Sequence, residues 1–397
     1  MKFSQRANEI SESPIRKLIP YADKAKQKGK TVYHLNIGQP DVLTPDQYRE
    51  SVHEYADKVL AYGPSQGNPQ LIDAVHKYYK KYNYDYTPAD VFITNGGSEA
   101  LQIAISVLCD AGDELLVFEP YYANYSTFAK ISDAKIVPIV TSVENGYRLP
   151  SLQEMEEYIT PRTRAILVNN PGNPTGLIFT REEMANIAAL VTKYDLGLIS
   201  DEVYREYCYD GEYHGFNEYP EISQNIIMVD SVSKRFSACG ARIGCLLCKN
   251  PIFNRHVMKY CQARLCCPTI EMRASVRLYD ADKQYFAAVR EEYRHRRDVL
   301  AEELHKLPGV KFATPQGAFY LMARLPVDDA EQFCIWMLEN YDIDGETMMF
   351  APGSGFYSRP EAGKQEARLA YVLECEKLRK AIRIMGRALQ AYPGRVE

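Results

Sequence analysis

The sequence has no excess of positive charge and no long hydrophobic run. Its 397 residues contain 47 Lys and Arg against 52 Asp and Glu, a formal net charge of −5, so no basic field attracts a nucleic-acid backbone. No apolar stretch approaches the roughly 20 residues that a membrane-spanning helix needs. The polar segment 1–10 does not resemble a secretory signal. We therefore predict a soluble, cytoplasmic protein that binds neither nucleic acid nor membrane.

The cysteines form no disulfide framework. There are ten of them, scattered among apolar neighbours, and only Cys245 and Cys248 make a C-x-x-C pair. No second pair follows at the spacing of a zinc ribbon. Because free cysteine is among the most buried residue types, we predict that this pair is buried in a strand and that the protein has no metal site.

Segment 77–86 interleaves lysine and tyrosine, a pattern that also occurs where single-stranded nucleic acid stacks on aromatic rings. The acidic balance of the chain favours a different interpretation. We predict the end of an amphipathic helix, with buried rings and a solvated lysine face.

Apolar runs alternate with helix-length amphipathic segments through most of the chain. The runs predict buried strands at 91–94, 115–118, 135–140, 165–168, 196–200, 226–229 and 243–248. Helices are predicted between several of them, for example at 98–108, 152–159 and 181–194, the last opened by a capping box of Thr180 and Glu183. This alternation predicts an α/β fold with a mostly parallel seven-stranded sheet sandwiched by helices.

The chain divides into three predicted parts. Residues 46–285 form a large domain around the sheet, and a long charged helix begins near Asp282. Residues 286–397 mix short strands and helices and predict a smaller α+β domain. Residues 1–45 are predicted to form an N-terminal segment that packs with this small domain.

One segment, 230–244, combines groups that suit an amine and a phosphate. Lys234 follows a predicted strand and so lies at the carboxyl end of the sheet, where open α/β sheets place ligands. A lysine held in a pocket there can form a Schiff base with an aldehyde. The same segment holds an anion-binding set suited to a phosphate, namely Arg242, Gly240, Gly244, Ser231 and Ser233.

Three other places carry side chains with two interpretations each. The turn at 94–99 is either a plain strand–helix connection or an anion site made by free helix N–H groups. Asp201 follows a strand and can cap a helix or pair with a buried pyridinium nitrogen. Arg368 is typical of a surface ion pair, although its guanidinium can also grip a carboxylate through two hydrogen bonds.

The motifs that carry these residues resemble, in order, those of the class I/II aminotransferases, the pyridoxal-phosphate enzymes of fold type I. The resemblance covers nearly the whole chain and rests on segments 94–99, 119–124, 169–176, 200–204 and 230–244. It implies pyridoxal 5′-phosphate as cofactor and residues 46–285 as the domain that binds it. It also implies that Lys234 forms the aldimine with this cofactor and moves the proton between the substrate Cα and the cofactor.

The resemblance assigns further residues to the cofactor. Asp201 would keep the ring nitrogen protonated, Tyr204 would bond the ring oxygen, and Tyr122 would stack on the ring. The phosphate contacts it implies are Gly97, Ser98, Glu99, Ser231, Arg242 and, from a neighbouring subunit, Tyr62. That last contact implies a homodimer with shared active sites.

The resemblance also assigns the substrate contacts. Asn173 would bond both the ring hydroxyl and the substrate carboxylate, Arg368 would bind the α-carboxylate, and Gly38 would lie against the same group. For the substrate side chain, Arg264 is either the residue that reads a distal carboxylate or a solvated helix residue.

Several functions remain open at this point. The first is transfer of the amino group of an L-amino acid, aspartate as first guess, to a 2-oxo acid such as 2-oxoglutarate. Specificity for aromatic amino acids or alanine is an alternative, as is a carbon–sulfur lyase or an amino-acid decarboxylase on the same scaffold. A non-catalytic regulator would need a DNA-binding domain, for which there is no room before Tyr33.

Overall fold

The computed structural model describes residues 1–10 and 12–396. Its strands are β1 (Thr31–His34), β2 (Val91–Thr94), β3 (Glu114–Glu119), β4 (Lys135–Val140), β5 (Thr163–Asn169), β6 (Gly197–Asp201), β7 (Ile226–Ser231), β8 (Gly244–Cys248), β9 (Lys311–Phe312), β10 (Tyr320–Arg324), β11 (Glu346–Met349), β12 (Ala351–Pro352) and β13 (Glu366–Ala370). Its α-helices are α1 (Gln5–Glu9), α2 (Ile19–Gln27), α3 (Asp46–His53), α4 (Pro69–Lys80), α5 (Gly96–Leu108), α6 (Asn124–Ile131), α7 (Leu152–Glu156), α8 (Arg181–Tyr194), α9 (Val232–Arg235), α10 (Pro251–Arg264), α11 (Thr269–Val276), α12 (Lys283–His305), α13 (Ala330–Asn340) and α14 (Cys375–Ala391).

The large sheet has seven strands in the order β2-β8-β7-β6-β5-β3-β4. Strand β8 runs antiparallel to both of its neighbours, and the pairs from β7 to β4 are parallel. The prediction of a mostly parallel seven-stranded sheet is therefore confirmed. The carboxyl ends of β3, β5, β6 and β7 meet at one edge, because parallel strands end on the same side.

Helices cover both faces of this sheet. Helices α5, α6 and α10 pack on one face and α8 on the other, each burying apolar side chains against the strands. Helix α8 starts where predicted, and its capping box is formed: the Glu183 amide donates to Thr180 Oγ1 at 3.1 Å, while the Thr180 amide donates to the Glu183 carboxylate at 2.7 Å.

Helix α7 is shorter than the predicted segment 152–159. It ends at Glu156. Beyond it the Tyr158 and Ile159 amides bond the carbonyls of Met155 and Glu156, three residues back. This tighter bonding ends the α-helix within the predicted stretch.

The C-terminal part of the chain contains a four-stranded antiparallel sheet in the order β12-β13-β10-β9, packed against α12, α13 and α14. Strand β1 pairs in parallel with β11, so the segment that precedes Tyr33 is tied to this part of the molecule. The predicted boundaries at 45/46 and 285/286 stay predictions. Helix α12 begins at Lys283, capped by Asp282, and so crosses the second of them.

The two smaller patterns lie as predicted. Cys245 and Cys248 are both buried in β8 and unpaired. In segment 77–86 the rings of Tyr78 and Tyr79 are buried, whereas Lys77 and Lys80 are exposed. Within residues 1–10 and 12–396, none of the helices has the length and apolar character that crossing a bilayer requires.

Candidate active site

Lys234 lies on α9, a single helical turn that directly follows β7. Its Nζ donates a hydrogen bond to the Gly38 carbonyl at 2.8 Å, and Cys239 Sγ lies 4.0 Å away. The ring of Phe319 lies under the same amine, with its centroid 6.0 Å from Nζ. The amine therefore lies in a partly apolar recess, where the Phe319 ring shields one side of it from solvent.

Asp201 ends β6, next to β7 in the sheet, and its side chain is buried. Tyr125 Oη donates to its Oδ2 at 2.7 Å. Burial raises the pKa of this carboxyl to about 7, and the hydrogen bond from Tyr125 opposes that rise. A cation beside Asp201 would restore its ionised form.

Tyr204 and Tyr320 link β6 to the small antiparallel sheet. Their hydroxyls lie 3.0 Å apart, and Tyr320 Oη also lies 3.4 Å from the Gly38 carbonyl that accepts the Lys234 bond. A Cβ added at Gly38 would lie 1.8 Å from Tyr320 Oη. Glycine at 38 thus allows the backbone to lie against Tyr320 and Lys234 at once.

Arg368, on β13, is 1% exposed. It donates from Nη1 to Asn173 Oδ1 at 3.0 Å and from Nη2 to the Asn36 carbonyl at 2.6 Å, while its Nε has no partner among the described residues. Burial lowers its pKa, and no carboxylate in the described part of the chain compensates the charge. A buried guanidinium without a carboxylate is suited to receive one from a ligand.

The predicted anion turn opens α5. Gly96, at φ +76°, lies against the guanidinium of Arg242, since a Cβ there would come 2.5 Å from Nη2. A Cβ at Gly244 would meet the same turn, 2.6 Å from the Gly97 amide nitrogen. The arginine and the free N–H groups of α5, including those of Gly97 and Ser98, therefore face one cradle, which suits a phosphate.

Three more of the predicted residues, Glu99, Tyr122 and Ser231, border this region. The Glu99 carboxylate accepts the Asn95 amide at 2.6 Å and so caps the turn before α5. Tyr122 is half-buried, and its ring packs edge-to-face on Tyr125, with centroids 5.4 Å apart. Burial raises the pKa of Tyr122 to about 12. Ser231 is buried at the end of β7.

Tyr62 and Arg264 make no hydrogen bond or ion pair to Lys234 among the described residues. Tyr62 is 81% exposed, in a stretch where Val59 and Leu60 are also exposed. Arg264 ends α10, where it pairs with Glu99 at 3.8 Å and donates to the Ser65 carbonyl at 3.1 Å. Within this single chain neither side chain reaches the recess around Lys234.

Three residues of the site could not be identified from the sequence. Tyr125 bonds Asp201, Tyr320 bonds Tyr204, and Asn36 holds Arg368. None belongs to a motif with a chemical signature, and each is one of many residues of its type. Only the folded chain singles them out.

These groups fit pyridoxal phosphate. The cradle of α5 and Arg242 suits its phosphate, buried Asp201 suits its ring nitrogen, and the amine of Lys234 suits its aldehyde. Asp201 is buried, its side chain accepts a hydrogen bond from Tyr125, and no cation pairs with it among the described residues, so a cationic ring nitrogen is the partner that it lacks.

Comparison with known proteins agrees with this geometry. The family model described as aminotransferase class I and II matches residues 30–354. An aspartate aminotransferase of Pyrococcus horikoshii is 30% identical over 98% of this chain and 97% of its own length. An aromatic-amino-acid aminotransferase of Thermococcus litoralis is 30% identical over 98% of this chain and 99% of its own length.

Solved structures show the same fold. An aspartate aminotransferase single mutant of Thermus thermophilus superposes with a TM-score of 0.89 at 28% identity, covering 98% of this chain and all of the other. An alanine aminotransferase of Pyrococcus furiosus gives a TM-score of 0.90 at 28% identity, with the same coverage. The chain belongs to the class I and II aminotransferases of fold type I, and it is a transaminase that uses pyridoxal phosphate.

Proposed function

We propose that the enzyme moves the amino group of L-aspartate to a 2-oxo acid such as 2-oxoglutarate at the site around Lys234. The main support is that the amine of Lys234 and the guanidinium of Arg368, the group proposed to bind the carboxylate, both donate to backbone carbonyls of segment 36–38. Lys234 Nζ donates to the Gly38 carbonyl, and Arg368 donates to the Asn36 carbonyl two residues earlier. An α-amino acid held by its carboxylate at Arg368 brings its Cα toward Lys234.

The residues of the site then take separate roles. Pyridoxal phosphate, when bound, supplies an electron-accepting ring that stabilises negative charge at the substrate Cα. With the cofactor bound, Asp201 would hold the proton on the ring nitrogen, Tyr204 would donate to the ring oxygen, and Tyr122 would cover the ring face. Lys234 Nζ would take the proton from the substrate Cα and deliver it on the cofactor side.

The phosphate and the substrate carboxylate are held by the remaining groups. Those proposed for the phosphate are Gly97, Ser98, Glu99 through its backbone, Ser231, Arg242 and a neighbouring subunit's Tyr62. Those proposed for the carboxylate are Gly38, Asn173 and Arg368. Because Asn173 already accepts a bond from Arg368, it orients the guanidinium before substrate arrives.

Aspartate is proposed as the preferred amino acid because relatives that match nearly the whole chain are named aspartate aminotransferases. Aromatic and alanine specificity have support of the same kind from single relatives. Arg264 stays a proposed reader of a distal carboxylate. Its bond to Glu99 must then be exchanged, or it must act on the site of the partner subunit.

A homodimer with shared active sites is part of the proposal. The exposed stretch with Val59, Leu60 and Tyr62 has apolar area that a second copy would cover. We also propose the cytoplasm as the compartment, because all ten cysteines are unpaired, as in a reducing environment.

The test is a pair of half-reactions followed by visible absorption. The purified enzyme with pyridoxal phosphate receives L-aspartate, and then 2-oxoglutarate. We expect the first to convert the cofactor to its pyridoxamine form and the second to restore it, with glutamate as product. Release of ammonia or carbon dioxide in place of amino transfer, or release of sulfide from a sulfur-containing amino acid given in place of aspartate, would replace the proposal with a lyase or a decarboxylase.

A further inference from the structure

A buried ion pair flanks the turn that carries Lys234. Asp230 lies two residues before α9, and Arg235 is the last residue of that helix. Neither side chain has any exposed surface. The guanidinium donates from Nη2 to Asp230 Oδ2, and Oδ1 of the same carboxylate accepts the Ser231 amide at 2.6 Å. The pair therefore links the last residue of α9, a helix of only four residues, to strand β7.

An aromatic cluster holds this arginine in place. The Arg235 guanidinium carbon lies 4.2 Å from the ring centroid of Tyr78, and its Nη2 lies 3.4 Å from Tyr79 Oη. Tyr79 also donates to Asp230 Oδ2. These rings come from α4, in the tyrosine-rich segment 77–86, so that segment has a use that its composition does not reveal.

The short helix cannot hold its own direction. One turn of helix has too few internal hydrogen bonds to be stable alone. Successive side chains on a helix diverge by about 100°, so fixing Arg235 in the aromatic cluster sends Lys234 to another side, where its amine meets the Gly38 carbonyl. Loss of the Arg235 anchor would therefore loosen Lys234.

The pair lies one strand away from Asp201, on the opposite face of the sheet. Strands β6 and β7 are paired so that Asp201 lies opposite Val229, and the side chain of the next residue, Asp230, points to the other face. The charge of Asp230 raises the pKa of Asp201, after burial as the largest cause. The ionisable groups that interact electrostatically with Asp201 are Tyr122, Tyr125, Glu202, Tyr204 and Asp230. Arg235, which is paired with Asp230, offsets part of the charge of that carboxylate.

We propose that Arg235 is a positioning residue, which aims Lys234 into the site and offsets part of the charge of Asp230 on the strand next to Asp201. The inference rests on the proposed roles of Lys234 and Asp201. Arg235 itself contacts neither the proposed cofactor site nor the substrate site.

The test compares pyridoxal phosphate binding to cofactor-free protein across a pH series. Arg235→Met leaves Asp230 uncompensated, so we expect the pH at which binding is half-maximal to rise by roughly half a unit or more. Asp230→Asn removes the like charge, and we expect a shift in the opposite direction. The double variant Asp230→Asn/Arg235→Met is expected to return close to the native midpoint.

A general loss of stability cannot give shifts of opposite sign. The matched control is Arg297→Met, because Arg297 is also a buried arginine, paired with Asp210 at 2.8 Å in a region remote from Asp201. It is expected to lower stability and leave the midpoint unchanged. If Arg235→Met does not fold, the test uses Arg235→Lys and Asp230→Asn. We expect the native midpoint for the lysine variant and a lower midpoint for the asparagine variant.

Unshifted midpoints in all folded variants, or shifts of one sign, would overturn the proposal. The positioning part has its own readout. In Arg235→Met we expect kcat to fall at least tenfold while KM for the amino acid changes less than twofold, because Arg368 is untouched. If the native protein binds no pyridoxal phosphate, the proposed function is wrong. If it binds and the variants show no shift, only the role of Arg235 is wrong.

Discussion

Arg368 donates a hydrogen bond to the side chain of Asn173 at 3.0 Å, although 195 residues separate the two along the chain. The arginine lies on β13 of the four-stranded sheet, and the asparagine follows β5 of the seven-stranded sheet. A carboxylate that binds to both thus contacts both sheets. With Arg368 and Asn173 in their proposed roles, substrate recognition would depend on the two sheets being packed together.

Replacing Arg368 with lysine tests this recognition. A lysine keeps the charge and loses the two-pronged geometry, and one charge-assisted hydrogen bond is worth about 1.5–3 kcal/mol. We expect KM for the amino acid to rise roughly 10- to 100-fold, with the affinity for pyridoxal phosphate unchanged. Steady-state kinetics measure both, and Arg324→Ala on neighbouring β10 serves as the control. An unchanged KM would remove Arg368 from the substrate site.

Replacing Lys234 with alanine tests the catalytic amine. Its side chain makes one hydrogen bond to Gly38 and packs little, so we expect the fold to persist. Turnover is expected to fall by roughly 100- to 10,000-fold, which is what a positioned acid–base group contributes. Circular dichroism checks the fold and product formation checks the rate. Native turnover in this variant would contradict the assignment.

The pKa of Asp201 predicts how the stability of cofactor-free protein depends on pH. The folded value of about 7 lies above the value of 3.8 for a free side chain, so the folded state binds the extra proton between them. Stability is therefore highest below about pH 4 for this group and falls as the pH rises toward 7, by roughly 1.4 kcal/mol for each pKa unit.

Two variants of that experiment isolate the group. Asp201→Asn does not titrate, so its unfolding free energy is expected to lack this fall between pH 4 and 7. Pyridoxal phosphate is expected to reduce the fall in native protein, because a cationic ring nitrogen favours the carboxylate. The same pH dependence in native and Asp201→Asn protein, measured by urea unfolding, would show that Asp201 keeps an ordinary pKa.

Tyr62 predicts complementation between subunits. If it serves the partner's site, a heterodimer of Lys234→Ala and Tyr62→Ala chains has one intact site. Random mixing makes half of the dimers mixed, so about a quarter of native activity is expected to appear. Mixing Lys234→Ala with Asp201→Asn is the control and gives no recovery, since both residues belong to one chain's site. No recovery in the first mixture, as in the control, would mean that Tyr62 does not serve the site of the partner subunit.

Local patterns predicted most of the sheet. All seven apolar runs are strands of the large sheet, and α8 begins at its predicted residue because a capping box marks it. The antiparallel direction of β8 was not predicted, since an apolar run has the same composition in either direction. Strand direction depends on how the chain returns to the sheet edge, which periodicity does not record.

Some residues of the site could be predicted from the sequence and others could not. Lys234 and Asp201 follow strands and so could be placed at the edge of the sheet from their positions in the chain. Tyr320 and Asn36 could not, because each contributes through a contact with a segment far away in sequence. The ion pair of Arg235 was also hidden, as its aromatic partners lie more than 150 residues earlier.

The central claim is that Lys234 is the residue that binds the cofactor covalently. Reduction of the native enzyme with borohydride in the presence of pyridoxal phosphate makes such a bond permanent, and peptide mass mapping locates it. We predict that the added mass lies on the peptide that contains Lys234, at one equivalent per chain, and that prior addition of an amino acid prevents it. Labelling of a different lysine, or no labelling, would contradict the account.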